Sequence, residues 1–389
     1  MNDKKTTMRK INLLTAVLLL TAVTVFGQKN SSGGINLAIW KNVSTQKNLP
    51  GNKTYFNLGL LTHMNELRGL SFNVIGSRIY NDMYGLQVGG FVNQTALNAY
   101  GLQLSSISNI TAGDLSGIGI TGFLNLIAGD SKGITIGGLS NINGASHYGL
   151  NMAGLMNVTG NKGVGVDIAG LANISAGEHH GIMIGGLTNV TGESLYGVQI
   201  GGLMNVNAVN MYGVQISPFN VTVNGKGLQL GLVNYYAEDF KGLQLGLVNA
   251  NPSTRVQWMV YGGSSTKINT AARFKNDLFY TILGIGSHYL DFKDKFSGTV
   301  FYRAGLGFPI YKKLSLSGDL GYQHIETFKN KDKGFPKRLY ALEARVNLEY
   351  GFSEKFALFA TGGFSHSRHY NKSQVYKNRA IIEAGIILF

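Results

Sequence analysis

The chain has 389 residues, 54 of them Gly and only 5 Pro, with no Cys and a formal net charge of +14. The glycine follows no G-X-Y period, which excludes collagen, and the 44% apolar content excludes a disordered chain. With no Cys there are no disulfides, no thiol chemistry and no cysteine-borne lipid anchor.

Residues 1–27 read as a cleavable secretory signal peptide. Lys4, Lys5, Arg9 and Lys10 precede an apolar stretch from Leu13 to Val25, and small residues lead to a cut after Gly27. The stretch is too short for a stable membrane span. Its removal takes away four bases and one acid, so +14 becomes +11. Residues 69–250 carry five Lys/Arg against eight Asp/Glu, and residues 251–389 carry twenty against ten. In a secreted chain that basic excess points to anionic lipid headgroups or lipopolysaccharide as partners, and not to nucleic acid.

Residues 28–250 are the repeat domain. Glycines at 69, 85, 101, 117, 133, 149, 165, 181, 197 and 213 stand sixteen apart; each is taken as position 1. Position 2 is always aliphatic (Leu86, Ile134, Val198), and position 4 is Phe72, Val88, Leu104 and their equivalents. Position 3 is mostly polar or small, as in Gln87, Gln103 and Gln199. This alternation marks a strand with one buried face, and positions 2 and 4 are expected to form a dry interior. Gly, Ala or Ser at positions 5 and 6 suit a sharp corner. Worn copies at 34–42 and 56–61, and GLQLGLVN at 227–234 and 242–249, bring the count to about fourteen turns. Short strands, glycine corners and a fixed period predict a β-solenoid, with coils about 4.8 Å apart and a length of roughly 65 Å.

Two columns are candidate sites. Position 9 is Asn93, Asn109, Asn125, Asn141, Asn157, Asn173, Asn189 and Asn205. Stacked amides of this kind form a structural ladder; binding sugar instead would require them to point outward. Position 16 holds Tyr84, Tyr100, Tyr148, Tyr196 and Tyr212, with His180 in the same column. Such a stripe either covers a corner or stacks on a glycan.

Residues 251–389 change texture. In 340–350, Tyr340, Leu342, Val346, Leu348 and Tyr350 alternate with Ala341, Glu343, Arg345, Asn347 and Glu349. One face suits lipid and the other a polar lumen. Eight such segments, joined alternately by short turns and long polar loops, predict a small antiparallel outer-membrane β-barrel. In the last segment Phe389 shares its face with Ile387, Gly385, Glu383 and Ile381. With eight strands both barrel ends open on the short-turn, periplasmic side, and the solenoid would then be periplasmic.

The GLQLGLVN repeats, followed by VQWMVYGG, FYTILGIGSHY and a terminal aromatic, resemble the surface-repeat outer-membrane proteins of Gram-negative bacteria. The resemblance covers nearly all of residues 34–389 and implies location and architecture only. Glu383 departs from the apolar last strand that the resemblance leads one to expect.

No catalytic constellation stands out. His179 and His180 are adjacent, so they cannot share a strand face, and no phosphate loop or triad pattern is present. Asp114 and Asp130 stack sixteen apart, which makes a thin calcium site. The expected function is that of a non-enzymatic outer-membrane repeat protein, a scaffold or adhesin-like element of the cell envelope that needs no cofactor or metal. The alternatives are a module that binds glycan or lipopolysaccharide, and a single larger, porin-like barrel in which every repeat is a spanning strand. The identical phase of all repeats disfavours the last, since spanning strands alternate up and down.

Overall fold

The computed structural model describes residues 33–41, 43–288, 290–291, 295–330, 337–370 and 377–389; the expected signal peptide lies outside them. The described chain is all-β, a solenoid of about 14 turns and a closed antiparallel barrel of eight strands. It divides into two compact units, Met1–Ser217 and Pro218–Phe389, so the last coils belong to the unit that contains the barrel.

In the first unit each regular turn consists of a longer and a shorter strand, such as Met83–Gly89 and Val92–Thr95. The next turn repeats them as Ala99–Ser105 and Ser108–Thr111. Pairing is parallel and in strict register, Gly85 with Gly101 and Asn93 with Asn109. The position-1 glycines are essential to this spacing. Gly149 has φ +131°, and a Cβ placed on it would lie 2.0 Å from the carbonyl oxygen of Gly133 in the turn before. Only glycine allows both that backbone conformation and that approach. The parallel stacking overturns the larger-barrel alternative, because neighbouring strands run the same way and cannot alternate up and down across a bilayer.

The structure also reverses the expected interior. None of the position-2 and position-4 side chains is buried, and Leu70, Ile182, Ile184 and Ile200 are exposed. The inward face carries Gln87, Gln103, Thr135, Asn151, Gln199 and Gln215, each at most 1% exposed. Alternation with period two separates two faces without saying which of them is inside. Here amides are accommodated inside where they find partners one coil away. Gln103 Nε2 donates to Gln87 Oε1 at 2.9 Å, and Gln215 Nε2 donates to Gln199 Oε1 at 2.9 Å. A buried polar group that is hydrogen-bonded carries little desolvation cost. Apolar residues enter the interior mainly at one column, with Met83, Ala99 and Leu115 packed beside Met64, Leu67, Ile79 and Ile127.

In the second unit, two coils (Phe219–Leu230, then Val233–Leu245 with Val248–Ala250) precede the barrel. The barrel strands are Arg255–Gly263, Ile268–Asn276, Phe279–Ser287, Lys295–Tyr311, Leu314–Asn330, Arg338–Ser353, Phe356–His369 and Lys377–Leu388. A two-residue piece, Leu290–Asp291, pairs with the start of the fourth. Antiparallel pairing of the first strand with the last closes the wall, with Tyr261 opposite Gly385. Asn276 to Phe279, Tyr311 to Leu314 and Ser353 to Phe356 are tight turns at one end. The face of the last strand that bears Glu383 turns inward: Ile381, Glu383 and Ile387 are buried, while Ile382 and Leu388 point out. Glu383 is therefore a lumen residue, and Phe389 lies just past the strand.

Gly149→Ala is expected to destabilise the folded chain by about 2 kcal/mol or more, as a side chain in strained backbone and against a carbonyl requires. Gly362→Ala, where a Cβ meets nothing within 4 Å, serves as the control and is expected to leave the unfolding midpoint unchanged.

Candidate functional site

The asparagine column forms a continuous ladder. The Nδ2 of each residue donates to the Oδ1 of the next from Asn93 through Asn205, at 2.8–3.0 Å. The same amides reach backbone carbonyls of the following turn, as Asn109 Nδ2 does to Ile120 O at 2.9 Å. All eight are buried and point inward, out of reach of a sugar. In the second unit a ladder of the same kind runs from Asn220 to Asn234 and on to Asn249, at 2.9 and 2.7 Å. The repeat count had not assigned these three residues to the column because one corner residue is missing from their coils.

The tyrosine column is at the surface. Tyr84 and Tyr100 stack with ring centroids 4.9 Å apart, and Tyr196 and Tyr212 stack at 5.0 Å. His180 lies over Tyr196 at 4.4 Å. The Tyr148 ring meets the Lys132 ammonium at 5.9 Å, and Arg68 lies over Tyr84 at 5.4 Å. The neighbouring corner collects charge. Lys162 Nζ is 3.5 Å and His180 Nε2 3.0 Å from Glu178 Oε2. Asp114 and Asp130 lie in the same corner, where Asp114 Oδ1 accepts the Asp130 N–H at 2.8 Å and Asp130 Oδ1 accepts the Ser146 N–H at 3.0 Å. These carboxylates satisfy corner backbone, and among the described residues no group of three or more His, Cys, Asp or Glu could hold a metal ion.

One cluster escaped the linear reading. His147 and His179 share the inward column at position 15, two coils apart, with Gly163 between them. Asp167 is also inward; its Oδ1 is 3.8 Å from His147 Nε2 and its Oδ2 3.5 Å from His179 Nδ1. Ser131 Oγ is 3.2 Å from His147 Nδ1. Burial holds both imidazoles down at about 4, with the neighbouring histidines adding to the effect at His179, and it pushes the Asp167 carboxyl up to about 7. Spacing counted in whole coils reveals this group, whereas adjacency drew attention to His179 and His180.

The barrel interior combines an apolar cluster, in which Met259, Tyr261, Ile282, Phe301 and Phe359 pack together, with paired charges. Arg273 holds Glu349 in a bidentate pair, Nη1 to Oε2 at 2.8 Å and Nη2 to Oε1 at 3.2 Å. Arg345 pairs with Glu343, and its Nε is 3.4 Å from Glu383 Oε2. Asp319 accepts from Tyr280 Oη at 3.0 Å and from Asn347 Nδ2 at 2.7 Å. The Arg303 guanidinium lies over the rings of Phe301 and Tyr261, at 4.7 and 5.0 Å. Outward, the wall shows Val300, Leu320, Leu342, Val346 and Ile382 in a band. Aromatics flank that band, with Trp258, Phe308, Tyr311 and Phe352 toward the tight turns and Tyr322, Phe328 and Tyr370 toward the long connections.

No family model matches the chain, and no curated protein matches it. Among solved structures, the crystal structure of Neisserial surface protein A (NspA) aligns at 13% identity and a TM-score of 0.24, covering 34% of this chain and 92% of that one. A TM-score that low carries no functional argument.

Asp167→Asn tests the buried cluster. A carboxyl whose folded value is raised from 3.8 to about 7 favours folding below pH 4, and that contribution is lost as pH rises to about 7. The variant is expected to melt at higher temperature than the parent at pH 8, by a clearly smaller margin at pH 5. Equal shifts at both pH values would show that the folded chain already holds Asp167 ionised at pH 5, with no raised value.

Proposed function

We propose that this chain is a non-enzymatic outer-membrane protein, anchored by its C-terminal barrel and carrying the coil stack as a structural or adhesin-like element of the cell envelope. The observation that supports this best is the outer wall of the barrel, an aliphatic band with aromatics at both edges. A water-soluble barrel turns a polar wall outward, and this one matches a wall that faces lipid. The lumen is filled by side chains, as eight-stranded barrels usually are, so an anchoring role fits better than conduction. In this reading residues 1–27 direct export and are removed, lipid and lipopolysaccharide are the partners, and the short turns face the periplasm together with the point where the coils join the barrel.

The full-length protein is expected to co-fractionate with outer membranes and to migrate on gels as a compact form that shifts only on boiling. Recovery in the soluble fraction, with a single heat-independent band, would sink the reading.

A second reading is favoured by the exposed stacked rings. A glycan or the sugars of lipopolysaccharide would lie along the Tyr84–Tyr100 and Tyr196–Tyr212 pairs, since aromatic faces stack on the apolar faces of sugars. Tyr100→Ala combined with Tyr212→Ala is expected to weaken binding to immobilised lipopolysaccharide about ten-fold while the heat-modifiable form persists, each pair contributing on the order of 0.5–1.5 kcal/mol. Unchanged binding would leave the column a structural cover for its corner.

A further inference from the structure

The coils have an outer surface that a water-soluble spacer does not need. Position 7, from Phe91 to Leu203, puts an exposed Phe, Ile or Leu at the corner of eight consecutive coils. At the inter-coil spacing this is a continuous apolar ridge about 34 Å long. Positions 2 and 4 add Leu86, Val88 and their equivalents to one outer face, and position 10 adds Leu126 and mostly aliphatic equivalents to the other, where position 8 alternates Leu124 and Met156 with Ser108, Ser140 and Thr188. Patches of this extent on soluble monomers mark contact with a partner or a membrane.

At seven of the eight ridge positions the backbone N–H bonds to the coil before. Leu155 N donates to Leu139 O at 2.8 Å, Leu171 N to Leu155 O at 2.8 Å, and Leu187 N to Leu171 O at 2.9 Å. Most amide side chains on the regular coils face inward on the ladders. Charged residues gather at positions 13 to 16, where Asp130, Lys132, Lys162, Glu178 and Glu193 stand next to the tyrosine stripe. Aliphatic faces, satisfied backbone, and one charged edge bordered by tyrosines are what a body partly immersed in a bilayer requires.

The last coils supply an independent observation. Tyr302 points outward from the barrel wall, between the exposed Val300 and Leu306, and its Oη donates to the carbonyl of Gly246 at 2.7 Å. Asn276 Nδ2 donates to Asn249 O at 2.6 Å. Thr281, outward by the alternation of its strand, is fully buried. The coil at 246–250 thus lies against the outside of the barrel at the level of its aliphatic band, and the neighbouring Leu245 and Leu247 remain exposed there.

We infer that the aliphatic outer faces of the coils contact lipid acyl chains, so that the solenoid is sheathed by the membrane with its charged corner at the headgroups. The inference rests on the reading of the barrel as a membrane anchor. A second copy of the chain is the less suitable occupant, because the apolar surface occupies both outer faces and a corner, whereas one copy would cover one side.

The chain has no Cys, so single cysteines can be labelled in the full-length protein. Leu171→Cys and Ile200→Cys place a bimane on the coils, Leu320→Cys places it on the barrel wall, and Glu193→Cys places it on the charged corner. Each variant that retains heat-modifiable migration is reconstituted into phosphatidylcholine–phosphatidylglycerol vesicles carrying acyl-chain doxyl lipid. Labels at 171 and 200 are expected to be quenched as strongly as that at 320, and at least about two-fold more than that at 193, since doxyl groups reach only the hydrocarbon region. Quenching at 320 but not at 171 and 200 overturns the inference and leaves the anchor intact. Quenching at 171 and 200 but not at 320 upholds the lipid contact and sinks the barrel reading. Disulfide-linked dimers of Leu171→Cys without quenching overturn it in favour of a second copy, and quenching at none of the three sinks both.

Discussion

The solenoid depends on a single constraint, the exact superposition of one coil on the next. Parallel pairing at a sixteen-residue offset places every residue against its own equivalent, so a side chain must be able to bond or pack with a copy of itself. Asn and Gln are suited to this because each carries a donor and an acceptor on one planar group. A column of identical amides can therefore satisfy itself along its length, leaving partners to be found only at its ends. A column of carboxylates or ammonium groups would repel itself, which agrees with the near absence of charge from the interior. Asp167 is the exception, and burial drives it toward the neutral form between two neutral imidazoles.

Self-complementary amides free the aliphatic residues for the outside. In a water-soluble solenoid the interior is apolar and the surface polar. In this chain both bodies turn aliphatic residues outward: the coils pack amides beside an apolar cluster, and the barrel packs ion pairs such as Arg273 with Glu349 beside another. Removing charges from water is costly unless geometry and further hydrogen bonds compensate. Both arrangements are easier to understand where the surroundings are hydrocarbon, because the outer surface then has no water to attract the polar groups outward.

The two bodies solve the edge problem differently. The barrel pairs its first strand with its last and has no edge. The coil stack covers its final edge by setting the coil at 246–250 against the barrel wall through Tyr302 and Asn276.

Period, strand count and the columns of the first unit were legible in the sequence, whereas Asn220, Asn234 and Asn249 were not, because their coils lack one corner residue. The glycines at every sixteenth position determined the coil, since only they accommodate the close carbonyl approach, and the alternation of Leu342 and Val346 with Glu343 and Arg345 determined the barrel wall. The asparagine and tyrosine columns followed from counting. The sequence did not determine which face of a coil is inside, because alternation is symmetrical between its two faces. Linear distance hid the approach of His147, Asp167 and His179, and it likewise hid the seat of Gly246 on Tyr302. Only the tertiary structure decided these, because a polar interior depends on whether each amide meets its partner in the next coil, and that contact exists only once the coils are stacked.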